Sequence, residues 1–369
     1  MPRKSLISNV KKIVVKVGTS TISTNGALSP QKIGKIVSSV SELKRQGYQI
    51  VIVSSGAISA GASTLKKKKD SLSIPEKQAM AAVGQAILIN EYRRLFEHEG
   101  FSVGQILLTE DDVKHRRRFL NARNTLEKLL ELGVVPVVNE NDSVVVKEIK
   151  FGDNDTLSAH VAGLINADLL VLLSDINGFY LDLNDPEPVE EIHKITDDIM
   201  GRCGDTGSEY GTGGMITKIR AAEIILRFGE MMIIANGNEK DVLLRIMRGE
   251  KVGTIFTGNA KPLSSRKKWL AARAHKGSII IDEGAVEALV HKKKSLLASG
   301  IISVSGPFDM GDIVEITSLS RKRIGKGVVK YNHTELQMIK GKSTREMEKI
   351  LGIRFYDEVI HRDDMIMYE

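Results

Sequence analysis

Three stretches of this 369-residue chain carry side chains that could do chemistry. Lys16 stands inside the apolar run KIVVKVG (12–18), where an ammonium group is costly unless an anion answers it. Lys218 ends GTGGMITK (211–218), whose Gly213 and Gly214 expose backbone N–H groups where a helix opens. Free donors and the helix dipole favour an anion at such a place. Between them, KEIKFGDNDTLSA (147–159) gathers Glu148, Asp153, Asn154 and Asp155 around Gly152, just ahead of an apolar helical run. An N-cap needs only one such group. Two lysines on two glycine-bearing loops point to a polyphosphate. The spacing is not G-x-x-x-x-G-K-[ST], so this is no ordinary P-loop. The plainer alternatives are a Lys16 stem that snorkels from a strand edge, and a capped, solvated loop at 147–159.

The elements that must position these groups alternate along the first two-thirds of the chain. β-branched runs at 12–18, 49–56, 103–108, 134–140, 169–175 and 230–237 predict strands. Helices are predicted over 29–47, with Ser29 as N-cap, Pro30 at the first helical position and Gly47 past the end, and over 75–99 and 121–133. Strands that are apolar on both faces and separated by helices indicate a mainly parallel open α/β sheet sandwiched between helices. Ligands of such sheets bind beyond the carboxyl ends of the strands. That directs attention to Gly18 after the first strand and to Ser55 in SSGA after the second. Asn139, Asn141 and Asp142 follow in NENDS after the fourth, and Ser174 with Asp175 after the fifth.

The pattern changes near residue 261. KPLSSRKKWLAARAHKG is basic and holds the one tryptophan, Trp269. Short alternating runs broken by glycines follow and predict a small β-rich domain. Residues 1–260 are therefore expected to form the first domain, 261–275 a linker and 276–369 the second domain. The net charge of +7 sits mostly in the tail, where residues 261–369 hold 20 Lys and Arg against 14 Asp and Glu. The excess suits an anionic partner or a solvated basic surface. Lys66–Lys69 reads as an exposed loop. A single cysteine, Cys203, excludes an internal disulfide and any cysteine-based metal cluster. With no apolar run that reads as a leader or a membrane span, the expectation is a soluble cytoplasmic protein.

VVKVGTS, IVIVSSGAISAG, AAVGQ, RRRFLNARNTL, VVPVVNENDSV, EIKFGDNDTLSA and GTGGMITK, in this order over about residues 10–260, resemble the amino acid kinase family and within it the glutamate 5-kinases. NEND followed closely by GDND is the most specific part. GSIIIDEGAVEAL, SLLASGIISVSGPFDMGDIVEI and IGKGVVKY resemble a PUA domain, a small β-barrel-like module found in RNA-modifying enzymes. The departures noticed are the lysine run at 66–69 and Ser174, where threonine is also common.

The resemblance implies transfer of the ATP γ-phosphoryl group to the side-chain carboxylate of L-glutamate, on the way to proline. It implies Lys16, Lys218 and Asp155 as the catalytic set, with Asp155 orienting the two lysines. Ser55, Asp142 and Asn154 would bind glutamate. Lys16, Gly18, Ser174, Asp175, Thr212, Gly213, Gly214, Met215, Ile216, Thr217 and Lys218 would line the nucleotide site. Mg²⁺ would be held mainly by the phosphates, with no protein metal site. A homo-oligomer, feedback inhibition by L-proline and weak, salt-sensitive RNA binding by the tail complete the expectation, with no membrane partner. The alternatives are another amino acid kinase, an RNA-binding protein acting through its tail, or a catalytically dead regulator. The last would lack Lys16, Lys218 or Asp155, and all three are present.

Overall fold

A computed structural model describes residues 3–67, 72–109, 112–113, 116–144, 154–182, 185–203, 214–258, 275–352 and 356–368. The chain divides into two compact units, residues 1–114 with 121–260, and residues 115–120 with 261–369.

The first unit is built on an eight-stranded sheet. Its strands are β1 (Lys12–Val17), β2 (Gln49–Ser54), β3 (Val103–Leu108), β4 (Val135–Glu140), β5 (Leu169–Ser174), β6 (Glu191–Ile192), β7 (Met231–Asn236) and β8 (Thr254–Phe256). Their order across the sheet is β3-β4-β2-β1-β5-β7-β8-β6, and all pairings are parallel except β7 with β8. The mainly parallel sheet read from the sequence is therefore what forms. β4 and β5 are buried along their whole length, as strands covered on both faces must be. The chain builds outward from β1 to one side through β2, and later to the other side through β5. A topological switch point, where open sheets hold ligands, thus lies beside β1. Lys16 sits in that strand, in register with Val53 of β2 and Leu172 of β5.

Six longer helices accompany these strands along the chain. They are α1 (Pro30–Arg45), α2 (Ala57–Thr64), α3 (Ile74–His98), α4 (Arg116–Glu131), α5 (Asn154–Ile165) and α6 (Met215–Phe228). Ser29 caps α1 by accepting from Lys32 N–H at 3.4 Å, with Pro30 at the first turn and Gly47 beyond the end at φ +94°. α4 begins at Arg116 rather than at 121. Arginine is a good helix former, so RRRF extends the helix backwards instead of capping it. α2 and α3 approach closely enough that only glycine fits between them. A Cβ on Gly84 would lie 1.8 Å from Ala57 O, and one on Gly61 would lie 2.0 Å from Met80 O. Tyr92 of α3 is fully buried and shares a 3.1 Å hydrogen bond with Ser54 Oγ. Burial pushes its hydroxyl up to about 12.

The second unit carries a five-stranded sheet of β9 (Gly277–Ile281), β10 (Ile301–Ser305), β11 (Ile313–Ser318), β12 (Arg323–Val328) and β13 (Met365–Met367), in the order β10-β9-β11-β12-β13. β9 and β11 run parallel and the other neighbours antiparallel. Ile279, Ile281, Val314, Ile316, Leu336, Ile339 and Ile360 belong to its own buried cluster. This is the β-rich tail that the alternating runs predict. Trp269 and most of the 261–275 stretch lie outside the described residues. No helix among the described residues is long and apolar enough to cross a membrane.

Candidate active site

One strand and the first turns of two helices bring their side chains together. β1 supplies Lys16, α5 supplies Asp155 in its first turn, and α6 supplies Thr217 and Lys218 in its first turn. Asp155 is fully buried and divides its carboxylate between the lysines. Oδ1 lies 2.6 Å from Lys16 Nζ and Oδ2 lies 3.1 Å from Lys218 Nζ. Thr217 Oγ1 also donates to Oδ2 at 3.0 Å and reaches Gly214 O at 2.8 Å, tying the start of α6 to the triad. Both lysines are 5% exposed. Two ammonium groups around one carboxylate leave a formal charge of +1. Such a group attracts an anion without itself carrying two adjacent uncompensated cations.

The other residues named from the sequence fall around this centre. Gly18 follows β1, and its own N–H is taken by Leu173 O at 3.1 Å. What the glycine supplies is space, since a Cβ there would stand 3.3 Å from Leu173 O and 3.8 Å from Lys16 Nζ. Ser174 donates to Asp175 Oδ1 at 2.9 Å. Gly214 is the N-cap of α6, with open space where a side chain would be, and Met215 and Ile216 begin the helix. Thr212, Gly213, Glu148, Gly152, Asp153, Lys68 and Lys69 lie outside the described residues.

Beside the lysines lies a chain of amides. Asn154 opens α5, and its Nδ2 donates to Ser55 Oγ at 2.8 Å, to Ser54 O at 3.2 Å and to Asn139 Oδ1 at 3.1 Å. Asn139, at the end of β4, passes the link on through Nδ2 to Gln85 Oε1 at 2.7 Å. Asn154 and Ser55 are thus in contact. Asp142 instead lines an adjoining cavity of about 250 Å³ together with Ala57, Gln85, Leu107, Glu140 and Ser143. The sequence puts Asn139 near this edge without giving it a role, and shows Gln85 only as the end of AAVGQ, also without a role. The available signal was a polar residue in the small-residue helix AMAAVGQA, next to the glycine that lets α3 close on α2.

The amino acid kinase family matches this chain over residues 11–236, and the PUA domain matches residues 277–351. Curated relatives named glutamate 5-kinase match along almost the whole length. That of Thermoanaerobacter sp. strain X514 is 46% identical over 368 residues, 97% of this chain and 98% of the relative. That of Geobacter sulfurreducens is 43% identical over 372 residues, 99% of this chain and 100% of the relative. Among solved structures, the carbamate kinase of Giardia lamblia bound to AMP-PNP covers 68% of this chain and 100% of its own, at 18% identity and a TM-score of 0.49.

Proposed function

Since this chain belongs to the amino acid kinase family, and within it to the glutamate 5-kinases, we propose that it transfers the γ-phosphoryl group of ATP to the side-chain carboxylate of L-glutamate. The products are L-glutamyl 5-phosphate and ADP, and the reaction is the first step of proline biosynthesis. The observation that carries the reading is the buried Asp155 with one lysine on each carboxylate oxygen.

The barrier is electrostatic, because one anion must attack another. The glutamate carboxylate is already ionised at neutral pH, so no general base has to remove a proton. A carboxylate oxygen forms the new bond to the γ-phosphorus as the bond to the ADP oxygen breaks. Lys16 and Lys218 hold the phosphates and answer the charge that spreads over the transferred group. Asp155 fixes both ammonium groups before substrate arrives, which lowers the cost of organising them during the reaction. Thr217 holds the first turn of α6, and Gly214 to Lys218 with Ser174 and Asp175 form the nucleotide side. Ser55, Asn154 and Asp142 form the glutamate side.

Both Asp155 oxygens are engaged by ammonium groups, so that carboxylate is not open to a metal ion. The site fits a Mg²⁺ ion carried mainly by the phosphates and water. When bound, that ion supplies further neutralisation of phosphate charge.

Residues 1–260 are assigned the chemistry and 276–369 a separate PUA-like module, joined by 261–275. On family grounds the enzyme is a cytoplasmic homo-oligomer inhibited by L-proline. Weak RNA binding by the tail rests on its basic excess. The test of the central reading is ATP- and glutamate-dependent acyl phosphate formation, trapped with hydroxylamine as the hydroxamate. Aspartate and N-acetylglutamate should be much poorer substrates, and equal turnover of N-acetylglutamate would overturn the substrate assignment.

A further inference from the structure

The polarity of the amide chain beside the lysines is fixed by backbone groups that can act in only one way. Glu140 N–H can only donate, and it meets Asn139 Oδ1 at 2.9 Å. The Asn139 Nδ2 group must then face Gln85, and Gln85 must present Oε1 to it. Gln85 Nε2 is thereby turned away from the chain. It is buried, and it has no hydrogen-bond partner among the described residues. A buried donor left unsatisfied costs about 1–3 kcal/mol, so its retention calls for an explanation.

Gln85 lines the same cavity as Asp142. Asp142, assigned above to the glutamate side, suits the ammonium end of the substrate's zwitterionic head group. The carboxylate end of the same head group then needs a neutral donor. Resting on the glutamate kinase reading above, we propose that Gln85 is a specificity-determining residue whose Nε2 donates to the α-carboxylate of L-glutamate, while the α-ammonium group faces Asp142. Its Oε1 meanwhile keeps Asn139, and through it Asn154, in place. One side chain thus ties the head-group cavity to the amides beside the lysines. A site built around such a hydrogen bond discriminates strongly against ligands that lack the partner, because its own polar group is then left unpaired.

The test compares wild type, Gln85→Met and Gln85→Glu. Glutamate is set against 4-aminobutyrate, which keeps the phosphorylated carboxylate and an amine but lacks the α-carboxylate. Gln85→Met removes both hydrogen bonds at similar volume. Gln85→Glu keeps an acceptor for Asn139 and sets an oxygen against the substrate carboxylate. Both variants are expected to raise KM for glutamate about tenfold or more, Gln85→Glu by the larger factor. KM for ATP should stay near wild type and both variants should fold, with Tm lowered because Gln85→Met leaves the buried Asn139 Nδ2 without its acceptor and Gln85→Glu adds a carboxylate beside Glu140 and Asp142. The preference for glutamate over 4-aminobutyrate should fall by a factor similar to the rise in KM. Unchanged KM for glutamate, equal rises for glutamate and ATP, or an unchanged preference would each overturn the assignment. If wild type itself makes no glutamyl phosphate, the functional reading falls and this inference falls with it. If wild type is active and the variants match it, only the role of Gln85 falls.

Discussion

Asp155 and Lys218 are 63 residues apart in the chain and 3.1 Å apart in space, and the other Asp155 oxygen holds Lys16 at 2.6 Å. Asp155→Asn keeps the shape and removes the charge between two buried ammonium groups. The expected loss of stability is about 3 kcal/mol or more, because the buried pairs lose their shared partner. Denaturant unfolding measures it. A variant as stable as wild type would remove Asp155 from its central place.

The lysines should behave differently. Removing either one leaves Asp155 paired with the other, so Lys16→Ala and Lys218→Ala are expected to fold. Each should lower kcat about a hundredfold or more, as the loss of one preorganised charge-stabilising donor does. Steady-state kinetics with a circular dichroism check would decide it, and near wild-type kcat in either variant would end the two-lysine account at that residue.

The legible parts of this site share a physical cause. A lysine inside KIVVKVG is conspicuous because burial makes its charge costly, and a mainly parallel sheet follows from apolar runs separated by helices, whereas the strand order and the short strands Glu191–Ile192 and Thr254–Phe256 do not. The start of α4 was less legible because three arginines read equally well as loop or helix. The Gln85–Asn139–Asn154 chain could not be read at all. Which way an amide points depends on partners such as Glu140 N–H and Ser54 O, brought together only by the fold. The pairing of Thr217 with Asp155 was hidden for the same reason, although Thr217 itself was named.

Glu230 makes stability depend on pH. Its carboxyl is pushed well above the ordinary range, first by burial and then by the negative charge of Asp168, against a smaller opposing pull from Lys12. The folded chain therefore keeps a proton that the unfolded chain releases. The stability this gives is complete below the unfolded value of about 4.3 and is lost as pH rises through the folded value. Glu230→Gln is neutral throughout. It should gain Tm over wild type toward the alkaline end of a series from about pH 5 to pH 9, with the advantage shrinking toward the acid end. A Tm difference that stays constant across the series would exclude Glu230 as the source.

Gly84 is expected to be intolerant of even one methyl group. Its Cβ would lie 1.8 Å from Ala57 O, and backbone cannot yield as a side-chain tip can. Gly84→Ala should cost about 1–3 kcal/mol or more by overpacking. Any folded fraction should show a raised KM for glutamate, because α3 carries Gln85 and α2 follows the Ser55 loop. Thermal melts and glutamate titration test this, and wild-type values in both would show that the helices separate freely.

The tail offers the test of how the chain divides. Every residue assigned to the chemistry precedes about 220, and strands within residues 277–367 form a sheet of their own with a buried cluster from Ile279 to Met365. A chain ended after about 262 should therefore fold and still form glutamyl phosphate, with inhibition or assembly free to change. The tail's excess of six positive charges is modest and its aromatic side chains are few. RNA binding by the full chain should accordingly be weak and fall steeply with salt, as contacts made chiefly to phosphates do. The truncated protein should lose that binding while keeping its kinase activity. The comparison needs a hydroxamate assay and an RNA titration across salt on both proteins. A soluble, folded truncation with no kinase activity would show that the tail completes the active site, against the division drawn at residue 260.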